Sequence, residues 1–358
     1  MANESARSSA IRPAFPRRAI IGFTGAFLCA GCVTAKGTTG ERSLPATPRP
    51  ACDLAAASPW ITKWLAAWQL TSERILQIPA APPPDMVLFD TKCVYATSEL
   101  SAAGPAIALP GSALLWRTAL HNDTVTTPAS KKLPVQLMTF TDVDKRTRRP
   151  FFVMASPDYW ASKGFGAEPG LTAVFIHEFS HTRQIPGLGS IIGPIDDAWR
   201  FPDELDDDAV QTRFKSDSAY VAAYMAERNL LYRAAEADSL AEVRRLAMEA
   251  LAMIRARHAK WFVGENAVFS TLDDTFLSLE GAAQWAAHAW LAHPEGGALS
   301  KPAAVARMLG SRRFWAQDEG LALFLVVDRL MPDWPKLVFR EPSVGGITLL
   351  QWAIDHAG

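Results

Sequence analysis

The pattern of apolar and polar positions changes in character along the chain. In the first half, apolar and β-branched residues come in short runs separated by Pro, Gly and charged clusters, which is typical of β-strands. These runs predict strands at 86–89, 93–95, 133–140 and 151–155. The last two should form a hairpin, because only the polar segment 141–149 separates them.

In the second half, apolar residues recur at helical spacing over long stretches, which predicts amphipathic helices. The predicted helices are 209–235, 240–262, 270–293, 302–309, 314–330 and 349–356. An earlier helix should begin at Ser58-Pro59 and direct Trp60, Trp64 and Trp68 into the core. There is no internal repeat and no second class of composition. Residues 51–358 are therefore predicted to form one α+β domain, a small N-terminal sheet followed by a largely helical C-terminal half.

One short segment between these halves carries recognisable chemistry. Residues 177–181 read His-Glu-Phe-Ser-His, and the apolar residues 173–176 before them predict a buried helix. Pro169-Gly170 and Pro186-Gly187 predict the two ends of this helix. By chance, a His-Glu-x-x-His segment should occur in on the order of 1% of chains of this length and histidine content. The segment therefore favours a metal site over incidental histidines.

Two histidines four residues apart on a helix are separated by about 40° around its axis, so both imidazoles can reach one ion. The sequence thus predicts that His177 and His181 bind Zn²⁺. Glu178 follows His177 on the same turn, where it can accept a proton from a water molecule that attacks a carbonyl group. Glu178 is therefore the predicted catalytic base.

A catalytic zinc ion normally has three protein ligands. A third histidine six residues after the motif is excluded, because Gln184 and Gly187 stand three and six residues after it. A carboxylate from a later helix is the remaining pattern, and Glu280 is preferred because its neighbours are apolar or small. Glu227, on a helix with aromatic residues, and Glu204, in an acidic run typical of a solvated helix start, remain alternatives.

Two of these features resemble a known superfamily. The His-Glu-x-x-His helix preceded by strands, and the segment Leu279-Glu280-Gly281-Ala282, resemble the gluzincin branch of the zincin metallopeptidases. The resemblance implies a zincin-like fold, Zn²⁺ held by His177, His181 and Glu280, and an edge strand that pairs with the substrate backbone. Small residues at 281–283 would let their helix approach the motif helix. Gln284 stands where thermolysin-like enzymes carry an acidic residue, so it should be a weaker acceptor for a ligand imidazole.

The predicted function is that of a zinc-dependent metallopeptidase that hydrolyses peptide or protein substrates. The oxyanion that forms when water attacks the substrate carbonyl could be stabilised by Tyr220, Tyr224, His288 or His293. Two alternatives remain open. One is a catalytically inactive envelope-binding lipoprotein that docks through its Trp-rich helices, and the other is a metallohydrolase acting on a non-peptide amide.

Composition adds one exclusion. The chain has 36 Lys and Arg residues against 37 Asp and Glu, with a net charge of -1. This balance gives no electrostatic reason to expect nucleic acid as a partner. Hydrophobic residues make up 49% of the chain, which is enough for a large core.

The N-terminus predicts export. Arg17-Arg18 leads into the apolar run 19–28, which is too short to span a bilayer as a stable helix. Segment 28–32 resembles a bacterial lipobox, which implies a signal peptide at 1–31 and membrane contact only through a lipid on Cys32. Residues 32–50 should then form a flexible tether. The predicted location is periplasmic, with ordinary signal cleavage and secretion as the alternative.

Cys52 and Cys93 remain outside the predicted signal. In an oxidising periplasm they can form a disulfide, with two buried free thiols as the alternative. A bond closing a loop of 41 residues (93 − 52) would stabilise the fold by about 4 kcal/mol.

Overall fold

The N-terminal half of the computed structural model contains one six-stranded sheet. The structure describes residues 52–110, 112–310 and 312–356, so the predicted signal peptide and tether lie outside the described residues. The strands are β1 Asp85–Phe89, β2 Cys93–Ala96, β3 Ile107–Ala108, β4 Leu115–Leu120, β5 Thr124–Thr126, β6 Lys132–Pro134, β7 Thr139–Val143 and β8 Pro150–Ala155. Their order in the sheet is β3-β4-β2-β1-β8-β7, and β5 and β6 pair separately. Only β1 and β8 run parallel, and every other pairing is antiparallel.

The predicted strands at 86–89, 93–95 and 151–155 are confirmed, but the predicted strand at 133–140 is wrong. Its first part belongs to β6, and the arm that pairs with β8 is β7, in register from Thr139 opposite Met154 to Val143 opposite Pro150. The Asp144 carboxylate explains the shift. It accepts hydrogen bonds from the Arg146 backbone and the Thr147 hydroxyl at 2.9 and 2.8 Å. The turn is therefore short, and pairing extends into the polar segment.

Helices dominate the rest of the chain. They are α1 Leu54–Leu70, α2 Pro157–Ser162, α3 Gly170–Asp197, α4 Ala209–Phe214, α5 Ser218–Glu236, α6 Leu240–Trp261, α7 Val268–Ala292, α8 Lys301–Leu309, α9 Trp315–Leu330, α10 Pro335–Val338 and α11 Gly346–His356. A π-helical turn, Thr71–Ile75, extends α1, and a 3₁₀ turn, Gly264–Ala267, precedes α7. The mixed α+β architecture, with the sheet in the N-terminal half and a helical C-terminal half, confirms the predicted fold class. Within the described residues, no helix is both long and apolar enough to cross a bilayer.

Three predicted helix boundaries are wrong. Helix α1 starts four residues before Ser58, because Asp53 caps it by accepting a hydrogen bond from the Ala55 backbone at 2.8 Å. The predicted helix 209–235 is two helices, since Asp217 caps α5 through the backbone of Ala219 and Tyr220. Helix α3 continues through Pro186 to Asp197.

The continuation of α3 past Pro186 has a packing explanation. Proline removes one backbone hydrogen bond from a helix interior. Leu188 and Ile192, in the turns beyond Pro186, are buried in a hydrophobic cluster with side chains from α4, α5 and α7. Burial of such side chains contributes about 1.5–3 kcal/mol each, which offsets the lost bond.

An aromatic cluster fixes α3 against the sheet and α1. Trp64 of α1 stacks on Phe175 of α3, with ring centroids 5.1 Å apart. Phe152 of β8 meets Phe175 and Phe179 edge to face, at 5.5 and 5.4 Å. The motif helix therefore has a rigid apolar support on its sheet side, and its opposite side faces α7.

Helix α7 runs through the middle of the helical half and is buried almost all round, as expected of a central helix. It meets α9 at two glycines. A Cβ atom added at Gly281 would lie 2.6 Å from the carbonyl oxygen of Gly320. The small residues predicted to let α7 approach the motif helix thus include one, Gly281, that serves the α7–α9 contact instead.

We expect Gly281→Ala to destabilise the protein by about 1–3 kcal/mol, because the added methyl overlaps the α9 backbone. Gly189→Ala is the matched control, since a Cβ there meets nothing within 4 Å. In a helix interior this control should be stabilising by roughly 0.5–1 kcal/mol. Urea unfolding followed by circular dichroism measures both. Equal effects of the two substitutions would contradict the close α7–α9 contact.

The predicted Cys52–Cys93 disulfide is confirmed, with the two Cα atoms 5.6 Å apart. It ties the residue before the α1 cap to β2, near the middle of the sheet. The bond therefore closes the loop that contains all of α1 and β1.

Replacing Cys52 and Cys93 together by Ala should lower the free energy of unfolding by about 4 kcal/mol, because the unfolded chain regains the entropy of a 41-residue loop. Chemical denaturation with and without reductant measures this loss. A reductant should shift the wild-type midpoint and leave that of the double variant unchanged. A wild-type midpoint that does not respond to reductant would count against this stabilisation.

Candidate metal centre

Helices α3 and α7 bring three of the predicted site residues together. His177, His181 and Glu280 are 5%, 1% and 1% exposed, and they form a group whose ligand atoms lie within 4.8 Å of one another. The Nε2 atoms of the two histidines are 3.3 Å apart. Glu280 Oε2 lies 3.2 Å from His177 Nε2, and Oε1 lies 3.4 Å from His181 Nε2. Within the described ranges this is the one His, Cys, Asp or Glu group with such spacing.

These distances fit a tetrahedral ion. Bonds of about 2.0–2.1 Å to such an ion separate neighbouring ligand atoms by about 3.3 Å. The observed separations of 3.2–3.4 Å match that edge. Both oxygens of Glu280 are buried without a conventional hydrogen-bond donor. The buried His177, His181 and Glu280 group can therefore hold a metal ion.

Gln184 fixes which nitrogen of His181 faces the group. Its amide nitrogen donates to the backbone carbonyls of Ser278 and Leu279 in α7, at 3.2 and 3.0 Å. The amide oxygen must then point the other way, where it lies 3.1 Å from His181 Nδ1. His181 Nδ1 consequently carries the proton, and its Nε2 presents a lone pair to Glu280 and His177.

The electrostatics of the group agree with this tautomer. Burial lowers the pKa of His181 to about 4 against the opposing effect of Glu280, so this imidazole is neutral at ordinary pH. Burial alone would raise the pKa of Glu280, but His181 and His177 outweigh it and hold that pKa below its usual value. A neutral Nε2 lone pair and a carboxylate oxygen 3.4 Å apart repel each other unless a cation lies between them.

Glu178 lies beside the group and faces open space. Its backbone carbonyl accepts a hydrogen bond from the Thr141 hydroxyl of β7 at 2.7 Å, which ties this turn of α3 to the sheet. Burial raises the pKa of Glu178 well above its ordinary value, and Glu280 and Asp207 raise it further. A bound cation would act in the opposite direction. His177 and Glu178 both line a cavity of about 360 Å³, so the group is accessible from one side.

The acidic run before α4 also approaches the group. Glu204 is exposed, as a solvated helix start would be. Asp207 and Asp208 are partly buried instead, and Glu280 contributes to raising the pKa of both. Burial is the largest cause for Asp208, followed by the charges of Asp206 and Glu280, and its pKa is raised to about 7. The prediction of a solvated run is wrong for these two residues, and local sequence carries no signal for their position.

Glu227, the second alternative ligand, belongs to a separate buried cluster. It pairs with Arg257 Nε of α6. The same guanidinium donates to Tyr220 Oη at 2.6 Å and to Asp273 at 3.0 Å, and lies 3.6 Å from Glu319. The positive charge here comes from the chain itself. Glu227 is thus occupied as a structural partner and is absent from the His177, His181 and Glu280 group.

Gln284 does not take the position implied by the resemblance. Its amide nitrogen donates to Gln317 Oε1 of α9 at 2.8 Å, and its side chain lines the cavity. Gln184, three positions after His181, is instead the residue whose amide oxygen accepts from the His181 imidazole. Its place one helical turn after His181 was the available sequence signal.

None of the four predicted oxyanion-stabilising residues lines the cavity at Glu178. Tyr220 accepts from Arg257, and the Tyr224 hydroxyl is 3.4 Å from the Trp315 carbonyl. His293 Nδ1 accepts from the Glu295 backbone at 3.1 Å. His288 is buried in α7, where burial lowers its pKa to about 4.

No protein-family model matches this chain, and no curated protein or solved structure matches it either.

Glu280→Gln should lower the affinity for a divalent metal by more than about 100-fold, because it removes the negative charge of a ligand. Loss of a residue that only hydrogen-bonds to a ligand lowers metal affinity by about 10–100-fold, and loss of the ligand charge should cost more. Glu204→Gln and Glu227→Gln are the controls, and neither should change the stoichiometry of one ion per chain. Competition with a fluorescent chelator and elemental analysis measure these effects. Metal lost from Glu227→Gln but kept by Glu280→Gln would reverse the assignment.

Proposed function

We propose that this protein is a zinc-dependent metallopeptidase with Glu178 as its catalytic base. The observation that carries the proposal is the convergence of His177, His181 and Glu280 next to Glu178, which lines a cavity. Two imidazoles and one carboxylate at tetrahedral separations form the donor set preferred by catalytic zinc. The order of sheet, motif helix and distant glutamate supports a zincin-like fold of the gluzincin type.

Zinc, when bound, polarises the substrate carbonyl and acidifies a water molecule. Every further step falls to residues of the chain. The Glu178 carboxylate accepts the proton of the attacking water and passes it to the leaving nitrogen, a role worth about 10²–10⁴-fold in rate. The Thr141 hydroxyl donates to the Glu178 backbone carbonyl, which holds this turn of α3 beside the cavity that Glu178 lines.

The sheet offers a place for the substrate backbone. Strand β7 is the last strand of the six-stranded sheet, so within the described residues one of its edges has no partner strand. Thr139 at its start lines the cavity that contains Glu178. An extended peptide added to this edge would gain main-chain hydrogen bonds that are independent of its sequence. This arrangement favours a peptide substrate.

The proposed location is the periplasm, with export directed by the N-terminal segment. The Cys52–Cys93 disulfide supports this part of the proposal, because such bonds persist in oxidising compartments. A lipid on Cys32 would then provide the membrane contact.

Glu178→Gln should keep one zinc ion per chain and lose at least about 100-fold in kcat, because the amide cannot accept the proton. Treatment with a chelator should abolish wild-type activity, and added zinc should restore it. A quenched fluorescent peptide library measures turnover, and elemental analysis measures zinc. Full peptidase activity of Glu178→Gln would refute the mechanism. Bound zinc without hydrolysis of any peptide would instead favour the binding lipoprotein or the non-peptide amidase.

A further inference from the structure

The cavity beside Glu178 has a largely apolar lining. At about 360 Å³, it is at the small end of the range of about 300–1,000 Å³ found for small-ligand sites, so it can enclose one or two substrate residues. The apolar side chains that line it come from α2, α3, α8, α9 and the adjoining loops. They include Trp160, Phe165, Leu171, Val174, Leu309 and Leu321.

Three arginines line the same cavity: Arg307 at the end of α8, and Arg312 and Arg313 in the segment before α9. All three are exposed. Within the described part of the chain, none of them has a carboxylate oxygen within 4.0 Å. We refer to these three residues as the arginine rim.

The arginine rim is held by contacts that leave its charge unpaired. The Arg312 guanidinium lies over the Tyr232 ring at 5.2 Å, and that of Arg313 lies over Phe314 at 5.6 Å. Arg307 Nη2 donates to the Ala167 carbonyl at 3.3 Å. A guanidinium has five N–H donors, so each of these residues keeps several free for a ligand.

Asp318, a carboxylate that lines the same cavity, is already neutralised. Asp318 accepts hydrogen bonds from Arg228 at 2.8 Å and from the Tyr232 hydroxyl at 2.9 Å. It therefore does not cancel the charge of the arginine rim. The cavity lining consequently combines three guanidinium groups, apolar side chains, and His177 and Glu178 of the motif.

We propose that the arginine rim recognises a carboxylate of the substrate, within one or two residues of the bond that is cut. The preferred substrate then has an apolar residue that packs on the apolar lining and an acidic group that pairs with the arginine rim. This inference rests on the proposed peptidase function and adds the substrate class. The carboxylate can be the C-terminus of a short peptide or an acidic side chain, and a charge-assisted bond to arginine is the chemistry shared by both.

The test uses the zinc-loaded protein and three acetylated peptides that share a leucine and differ in charge. One ends in a free carboxylate, one has an amidated end and a glutamate, and one has an amidated end and a glutamine. With exposed charge pairs each worth about 1.4- to 5-fold, KM for the preferred acidic peptide should be about ten-fold below that of the neutral peptide. The free terminus and the glutamate are distinguished by which peptide has the lower KM.

The variant Arg307→Gln, Arg312→Gln, Arg313→Gln should remove this preference and leave kcat for the neutral peptide within about two-fold, because these exposed charges act on binding. The corresponding triple lysine variant should keep part of the preference. Arg233→Gln is the control, since Arg233 is exposed on α5 and does not line the cavity.

Equal KM values for acidic and neutral peptides in an active wild-type protein would overturn the inference and leave the proposed function intact. If the zinc-loaded protein cleaves none of the peptides, the proposed function fails. The role of the arginine rim is then tested by the affinity of the protein for each peptide. Fluorescence anisotropy of labelled peptides with Glu178→Gln measures that binding. Tighter binding of the acidic peptides, lost in the triple glutamine variant, supports the rim. Binding without charge preference overturns it.

Discussion

The crossing of α3 and α7 at Gln184 is the contact on which the candidate site depends. One amide both donates to two backbone carbonyls of α7 and accepts from His181. This single side chain therefore fixes the distance between the helices and the proton position on a ligand imidazole. Glu280 follows Leu279 directly, so the same contact determines where its carboxylate meets the two histidines. The aromatic support of Phe175 and Phe179 holds α3 from its other side.

Two buried carboxylate clusters in the helical half differ in the source of the positive charge that each one needs. Burying a carboxylate without a partner is costly, so each cluster needs positive charge. Around Glu227 and Asp273, Arg257 supplies that charge, and the cluster is complete as a structural element. Around Glu280, the described chain places imidazoles and further carboxylates but no Lys or Arg within 4.0 Å. The second cluster is therefore the one that could hold an added cation.

Sequence alone predicted those parts of the site that depend on short spacing. The positions of His177, Glu178 and His181 follow from one helical turn, and Glu280 could be preferred because a carboxylate in an apolar helix needs a partner. The contact of Gln184 with α7 could not be predicted, because the two carbonyls that it reaches lie 94 and 95 positions away. The burial of Asp207 was missed for the same reason. In the fold, element types were predicted well, whereas boundaries set by distant packing, such as the extension of α3 beyond Pro186, were not.

The arginines that line the cavity meet one requirement of a metal group, which is that no cation of the chain itself pairs with Glu280. An arginine reaching that carboxylate would complete the cluster as Arg257 completes the other, and no metal would be needed. Arg312 and Arg313 are instead held over aromatic rings, and they line the same cavity as His177, Glu178 and several apolar side chains. These contacts keep the carboxylate of Glu280 free for a cation and leave the guanidinium groups available. A substrate bound in the cavity would then present its carbonyl to the candidate metal group and its negative charge to the guanidinium groups.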